Sequence, residues 1–168
     1  MTTTPVDEAL TALQQAIGLE KSGQEFYRKA AGRTANPKGA AMFRSLADDE
    51  VLHEGILRRQ LDALKSGAGW VLPEGVGRPA RNLPVTLFPE GEESLRKAVR
   101  PDANDEDALL FALQIENESF NLYRRLAQVT ADPNGKRTYE YLAGAEQGHF
   151  NVLMLNYEHL TTTGRWPD

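Results

Sequence analysis

Glu50-Val51-Leu52-His53 and Glu146-Gln147-Gly148-His149 are the two stretches whose reading decides the fold of this chain. In each, a Glu stands three residues ahead of a His, and the whole sequence of 168 residues has only three histidines. Random placement at an ordinary Glu frequency puts a Glu ahead of both less than about one time in a hundred. The two stretches lie 96 residues apart, and sliding the chain against itself by that distance aligns 12–61 with 108–157 without a gap. Of those 50 positions 16 are identical, where chance gives about three or four. The matches include Glu20 with Glu116, Tyr27 with Tyr123, Arg28 with Arg124, Pro37 with Pro133 and Gly39 with Gly135. A duplicated helical hairpin accounts for matched Pro, Gly, Ala and Leu as caps, turns and packing. It does not by itself account for matched Glu and His.

Outward from these stretches, apolar residues recur at helical spacing in four segments bounded by start and stop signals. The pattern predicts helices over about 5–32, 37–66, 105–131 and 133–160. Thr4, Asn36 and Asp132 are N-caps, each followed by Pro at the first helical position, and Asn104 or Asp105 caps the third helix. The segment 67–104 holds five of the nine prolines, Pro73, Pro79, Pro84, Pro89 and Pro101, which excludes a long helix. A short helix near 92–100 is the most it accommodates. Trp70, Val71, Leu72, Leu83, Val85, Leu87 and Phe88 give this crossover enough apolar weight to pack on the helices or on a second subunit. The short links at 32–37 and 131–133 make sequential helices antiparallel neighbours, and a link of this length can cross a whole bundle. The expected fold is all-α: one domain over 1–168, a four-helix bundle of two antiparallel hairpins joined by the crossover 67–104.

Composition excludes several functions. With no cysteine the chain offers no disulfide, no thiolate zinc or iron-sulfur site and no catalytic thiol. A net charge of −5 gives no electrostatic footprint for nucleic acid or an anionic membrane. The first ten residues lack a basic stretch followed by an apolar core, and no apolar run approaches the ~18 residues of a membrane span. A cytoplasmic, soluble protein is expected.

A separation of three places Glu50 and His53, and likewise Glu146 and His149, on one helix face about 60° apart, so both can converge on one metal ion. Glu20 and Glu116 sit mid-helix among small or apolar neighbours, Ala16, Leu19 and Gly23 on one side of the repeat and Ala112, Ile115 and Ser119 on the other. Four helices then contribute Glu, Glu with His, Glu, and Glu with His to one interior, the arrangement of ferritin-like di-iron carboxylate bundles. Four carboxylates and two divalent ions cancel, whereas the same groups without metal repel and take up protons. Hard oxygen and imidazole donors suit Fe, with Mn or a mixed pair as alternatives. A lone mid-helix Glu is ordinarily a solvated surface group; the joint pattern lifts these four above that reading. His159 has no repeat partner and reads as surface. Asp48 with Asp49, Glu92 with Glu93, and 105–107 read as caps and solvated faces. Gly18, Gly23, Gly55, Gly144 and Gly148, each costing about 1 kcal/mol against Ala in a helix, would be explained by close helix contact beside the site.

The chain resembles the rubrerythrin branch of the ferritin-like superfamily over nearly its whole length. The carriers are Glu20 with Phe26, Tyr27 and Ala31; Phe43, Leu46, Ala47, Glu50 and His53; Glu116 with Tyr123, Leu126 and Ala127; Leu142, Ala143, Glu146 and His149; and the crossover residues Leu87, Phe88, Pro89 and Glu90. The resemblance implies that Glu50 and Glu146 bridge two metals, that Glu20 and His53 complete one, and that Glu116 and His149 complete the other. Tyr27 and Tyr123, seven residues after their helix's Glu, would hydrogen-bond the ligating carboxylates. Two departures stand out. Rubrerythrins usually carry a further Glu three residues after the third-helix ligand, where this chain has Ser119, and Glu118, about 200° from Glu116 around the helix, is a poor substitute. The cysteine-containing rubredoxin domain is also missing.

What the resemblance implies for function is an oxidoreductase of oxidative stress defence, reducing hydrogen peroxide or dioxygen at a di-ferrous site with electrons from an external donor protein. The alternative is a ferroxidase that handles iron as ferritins do. A third possibility, a bundle without functional metal, is disfavoured because six ionisable groups facing a core unpaired by metal are strongly destabilising. A homodimer is expected, and the self-similar hairpins make exchange between two chains feasible.

Overall fold

A computed structural model of the chain describes residues 4–72, 76 and 104–167. They form four long helices, α1 (Pro5–Arg33), α2 (Pro37–Lys65), α3 (Asp105–Val129) and α4 (Pro133–Thr163), with no strand among the described residues. The caps are those the sequence announces. Thr4 closes a reciprocal capping box with Asp7, while the side chains of Asn36, Asn104 and Asp132 accept from the first free N–H groups of their helices. The third helix ends at Val129, two residues before the expected boundary, with Thr130 extended. The fourth runs three residues past Leu160, until Gly164 at φ 70° turns the chain into the left-handed region. The crossover residues Leu83, Val85, Leu87 and Phe88 and the short helix near 92–100 fall outside the described residues.

α1 packs along α2 and α3 along α4, and the two hairpins face each other through α1 against α3 and α2 against α4. Two apolar clusters fill the interior. One is built from Leu13, Ala16, Leu57 and Leu61 with Phe120, Tyr123, Tyr139 and Leu142. The other holds Tyr27, Phe43 and Leu46 with Leu109, Leu113, Phe150 and Leu153. On every helix the Glu and His positions of the repeat fall between the residues of one cluster and those of the other. The polar centre is thus capped at both ends by closely packed apolar side chains.

The repeat extends further than the aligned segment. Trp70 and Trp166 are also 96 residues apart, and each lies across the other hairpin. Trp70, just past α2, covers Gly135 at the start of α4, and Trp166, just past α4, covers Gly39 at the start of α2. A Cβ added at either glycine would stand 2.6–2.7 Å from the ring, so only glycine allows this approach. Trp166 donates its indole N–H to Asp105 Oδ2 at 2.7 Å and meets Phe43 edge-on. Trp70 meets Tyr139 edge-on, and the following residue, Val71, exchanges two backbone bonds with the buried Gln60 side chain. Val71 and Leu72 themselves remain exposed. No helix among the described residues is long and apolar enough to cross a membrane.

Candidate metal centre

All six Glu and His residues singled out in the sequence are buried and meet at the middle of the bundle. His53 Nδ1 lies 3.6 Å from Glu20 Oε2, 3.6 Å from Glu50 Oε2 and 3.2 Å from Glu146 Oε1. His149 Nδ1 lies 3.4 Å from Glu50 Oε1, 3.4 Å from Glu116 Oε2 and 3.2 Å from Glu146 Oε2. The two imidazoles stack with centroids 5.4 Å apart. Their donor atoms form two overlapping groups, Glu20, Glu50, His53 and Glu146, and Glu50, Glu116, Glu146 and His149, within each of which every ligand atom is within 4.8 Å of the others. Glu50 and Glu146 belong to both groups, each turning one oxygen to either side.

The donor set fits a pair of divalent ions. Glu20 Oε2, Glu50 Oε1, Glu116 Oε2, both Glu146 oxygens and Nδ1 of both histidines are buried without a hydrogen-bond partner, although buried polar atoms are nearly always satisfied. The remaining oxygens of the two outer glutamates are accounted for. Tyr27 OH donates to Glu116 Oε1 and Tyr123 OH to Glu20 Oε1. Each tyrosine therefore pins one oxygen of the carboxylate on the opposite hairpin and leaves the other oxygen facing the centre. Both tyrosines are fully buried, and burial together with the neighbouring carboxylates pushes their hydroxyls well above the ordinary range, so they act as neutral donors.

The electrostatics without metal are those of crowded carboxylates. Burial, then the charge of Glu146, raises Glu20 and Glu116 well above the usual carboxylate range. Burial works the same way on Glu146, but His53 and His149 overcome it and hold that carboxyl low. Glu50 is likewise lowered, its bonds to Glu20 and the histidines outweighing burial and Glu146. Burial pulls both imidazoles down, yet the surrounding carboxylates raise them well above their ordinary value. The centre thus retains protons that divalent ions would displace.

Several neighbouring residues behave differently from the sequence reading. Asp49, read as a solvated acidic residue, places Oδ2 3.3 Å from His149 Nε2; it lies 100° before Glu50 around α2, which turns it toward α4. Asp105, read as part of a cap, instead accepts from Trp166. Gln24, not singled out, is buried and donates to Glu50 O and Glu54 Oε2, with Arg58 on the other oxygen of Glu54. Of the helix glycines, Gly23 does lie beside the centre, its missing Cβ 3.5 Å from Glu50 Cγ, but Gly18, Gly55 and Gly148 face open space. Ser119 is buried and Glu118 accepts from Gln114 outside the centre, so no further carboxylate enters at that position. His159 is exposed, as expected.

Four helices in two hairpins around paired carboxylates and imidazoles define a ferritin-like carboxylate bundle. The Rubrerythrin family pattern matches residues 11–102, more than half of the chain, and the chain belongs to that family. A protein from Thermotoga maritima described as a ferritin-like diiron-carboxylate protein is 25% identical, with a TM-score of 0.63 over 89% of this chain and 94% of its own. A hypothetical protein from Pyrococcus furiosus shares the fold at a TM-score of 0.67 and 24% identity, covering 95% of this chain and 98% of its own. No curated protein matches the sequence.

Proposed function

We propose that this chain is a di-iron oxidoreductase that reduces hydrogen peroxide or dioxygen with electrons from a separate donor protein in the cytoplasm. The observation that carries the reading is the convergence of seven unsatisfied buried donor atoms from six residues on two overlapping positions. When bound, a ferrous pair supplies two electrons, which with two protons turn hydrogen peroxide into two molecules of water.

The residues set the conditions for that chemistry. Glu50 and Glu146 belong to both donor groups, so each would hold both ions. Tyr27 and Tyr123 fix Glu116 and Glu20 so that little reorganisation is needed on loading. The two apolar clusters exclude bulk water from either end. These 168 residues hold no cysteine, so a thiolate-bound electron relay would stand outside them. The centre closes within one chain, so the expected homodimer is not needed to complete it.

The test is an anaerobic titration. Protein loaded with two equivalents of Fe(II) is mixed with one equivalent of hydrogen peroxide and, separately, with dioxygen, and oxidation is followed by absorbance. Immediate oxidation by peroxide supports the reading. Reaction far slower than with dioxygen counts against a peroxidase, and uptake of many irons per chain would replace it with iron handling. Protein that binds no near-stoichiometric Fe or Mn would refute the metal centre itself.

A further inference from the structure

The two halves of the centre are built from the same repeat but are not backed in the same way. His149 turns Nδ1 to Glu50, Glu116 and Glu146, and its opposite nitrogen, Nε2, meets Asp49 Oδ2 at 3.3 Å. A neutral imidazole carries one proton, so for Nδ1 to offer its lone pair to a metal the proton must sit on Nε2. A carboxylate behind Nε2 holds that proton, fixes the ring and makes Nδ1 a stronger donor. On the other half, the residue 96 positions after Asp49 is Ala145. His53 turns Nδ1 to Glu20, Glu50 and Glu146 just as His149 does to its own set, but among the described residues no carboxylate stands behind its Nε2.

The hairpins diverge beside the same positions as well. Gln24, which reaches Glu50 O and Glu54 on the first hairpin, corresponds to Phe120 on the second, and Glu54 corresponds to Phe150. Identical ligands therefore sit in unequal surroundings.

We propose that Asp49 is a positioning residue that makes the two metal positions unequal, so that the position of Glu116 and His149 fills first and holds its ion at least tenfold more tightly than the position of Glu20 and His53. This rests on the di-metal reading of the centre. Asp49 touches no ligand atom of the centre; it acts through the His149 ring, and its side chain is 45% exposed, so replacing it leaves the packed interior intact.

The experiment titrates Mn(II) or Co(II) alone into the metal-free full-length protein without oxygen, by calorimetry and by Co(II) absorption. The expected wild-type isotherm has two steps at least tenfold apart. Asp49→Ala weakens the tighter step about 10- to 100-fold and leaves the other unchanged, so that the steps merge. Asp49→Asn, which keeps an acceptor for the Nε2 proton, restores part of the difference. Ala145→Asp strengthens the weaker step. In the Co(II) protein the solvent-exchangeable imidazole N–H resonance of His149 persists in wild type and Asp49→Asn and is lost to exchange in Asp49→Ala, which a merely structural effect would not produce. Two equal wild-type steps, or an Asp49→Ala isotherm in which both steps or neither step moves, overturn the inference while leaving the di-metal centre standing. A wild-type protein that binds neither ion overturns both.

Discussion

The reciprocal tryptophans make a prediction whose sign follows from the packing. In Gly135→Ala the new methyl would stand 2.6 Å from Trp70 Cδ2, 2.8 Å from Trp70 Cε2 and 2.8 Å from Thr130 Cγ2, against an ordinary contact of about 3.5–4.0 Å. Something must move by nearly 1 Å. The ring is wedged on Tyr139, Trp70 O accepts from Asn134 at 3.3 Å, and Gln60 clamps Val71 next to it. Overpacking of this kind costs about 1–3 kcal/mol. The opposing gain in helix propensity is at most about 1 kcal/mol, and smaller here because Gly135 lies in the first turn. The net is a loss of about 1–2 kcal/mol, a fall in Tm of about 2–8 °C for a chain of this size. Gly148→Ala in the same helix and Gly18→Ala in α1 supply the opposite sign, since a Cβ at either meets nothing within 4 Å; each should raise Tm by up to ~4 °C. Circular dichroism of the metal-free proteins, with tryptophan emission recorded in parallel, compares the three. If Gly135→Ala raises Tm as Gly18→Ala does, the reading of Trp70 as a tight cover over α4 is wrong.

Stability should respond to pH with opposite sign in the metal-free and metal-loaded proteins. Glu20, Glu116, His53 and His149 have raised values in the fold, so the stability they contribute is complete below their unfolded values and is lost as pH rises through the folded ones. Glu50 and Glu146 are lowered, and their contribution is lost only as pH falls below the ordinary carboxylate range. The metal-free protein should therefore melt at a lower temperature at about pH 8 than at about pH 5.5, while Mn(II) should stabilise more strongly at the higher pH because binding displaces protons; a metal-free protein more stable at pH 8 contradicts the assignment. Glu50→Ala or Glu146→Ala should abolish binding of both ions, since each faces both positions, whereas Glu20→Ala should spare one; the Mn(II) stoichiometry by calorimetry separates these outcomes. Tyr123→Phe removes the donor to Glu20 and should weaken metal binding about 10- to 100-fold, without loss of helical circular dichroism; unchanged affinity would make the tyrosine mere packing.

Much of this was legible in the residues because the signals were local or duplicated. Proline after Thr4, Asn36 and Asp132 marks helix starts through backbone chemistry alone, and the 96-residue offset turns two common motifs into one joint pattern. What escaped depends on direction across the bundle. Spacing puts Tyr27 on the face of Glu20, but only packing shows that it serves Glu116 instead. Asp49 looks like any exposed acid beside Asp48 until α4 is laid against α2. Gly23, Gly18 and Gly148 have equal propensity costs and unlike surroundings, because the cost is set by the residue and the surroundings by its angle around the helix. The Trp70 and Trp166 pair did carry a signal, the same offset beyond the end of the aligned segment.

The tyrosine bonds and the tryptophan covers all cross from one half of the repeat to the other. Tyr27 serves Glu116 while Tyr123 serves Glu20, and Trp70 covers Gly135 while Trp166 covers Gly39. One hairpin alone carries half of each pairing and can satisfy none of them, whereas two identical copies about a two-fold axis satisfy all of them with one set of residues. The geometry is that of a symmetric dimer joined into a single chain. A single chain frees the halves from identity, and the positions where they differ, Asp49 against Ala145 and Gln24 against Phe120 at the 96-residue offset, are ones that a dimer of identical hairpins would have to keep equal.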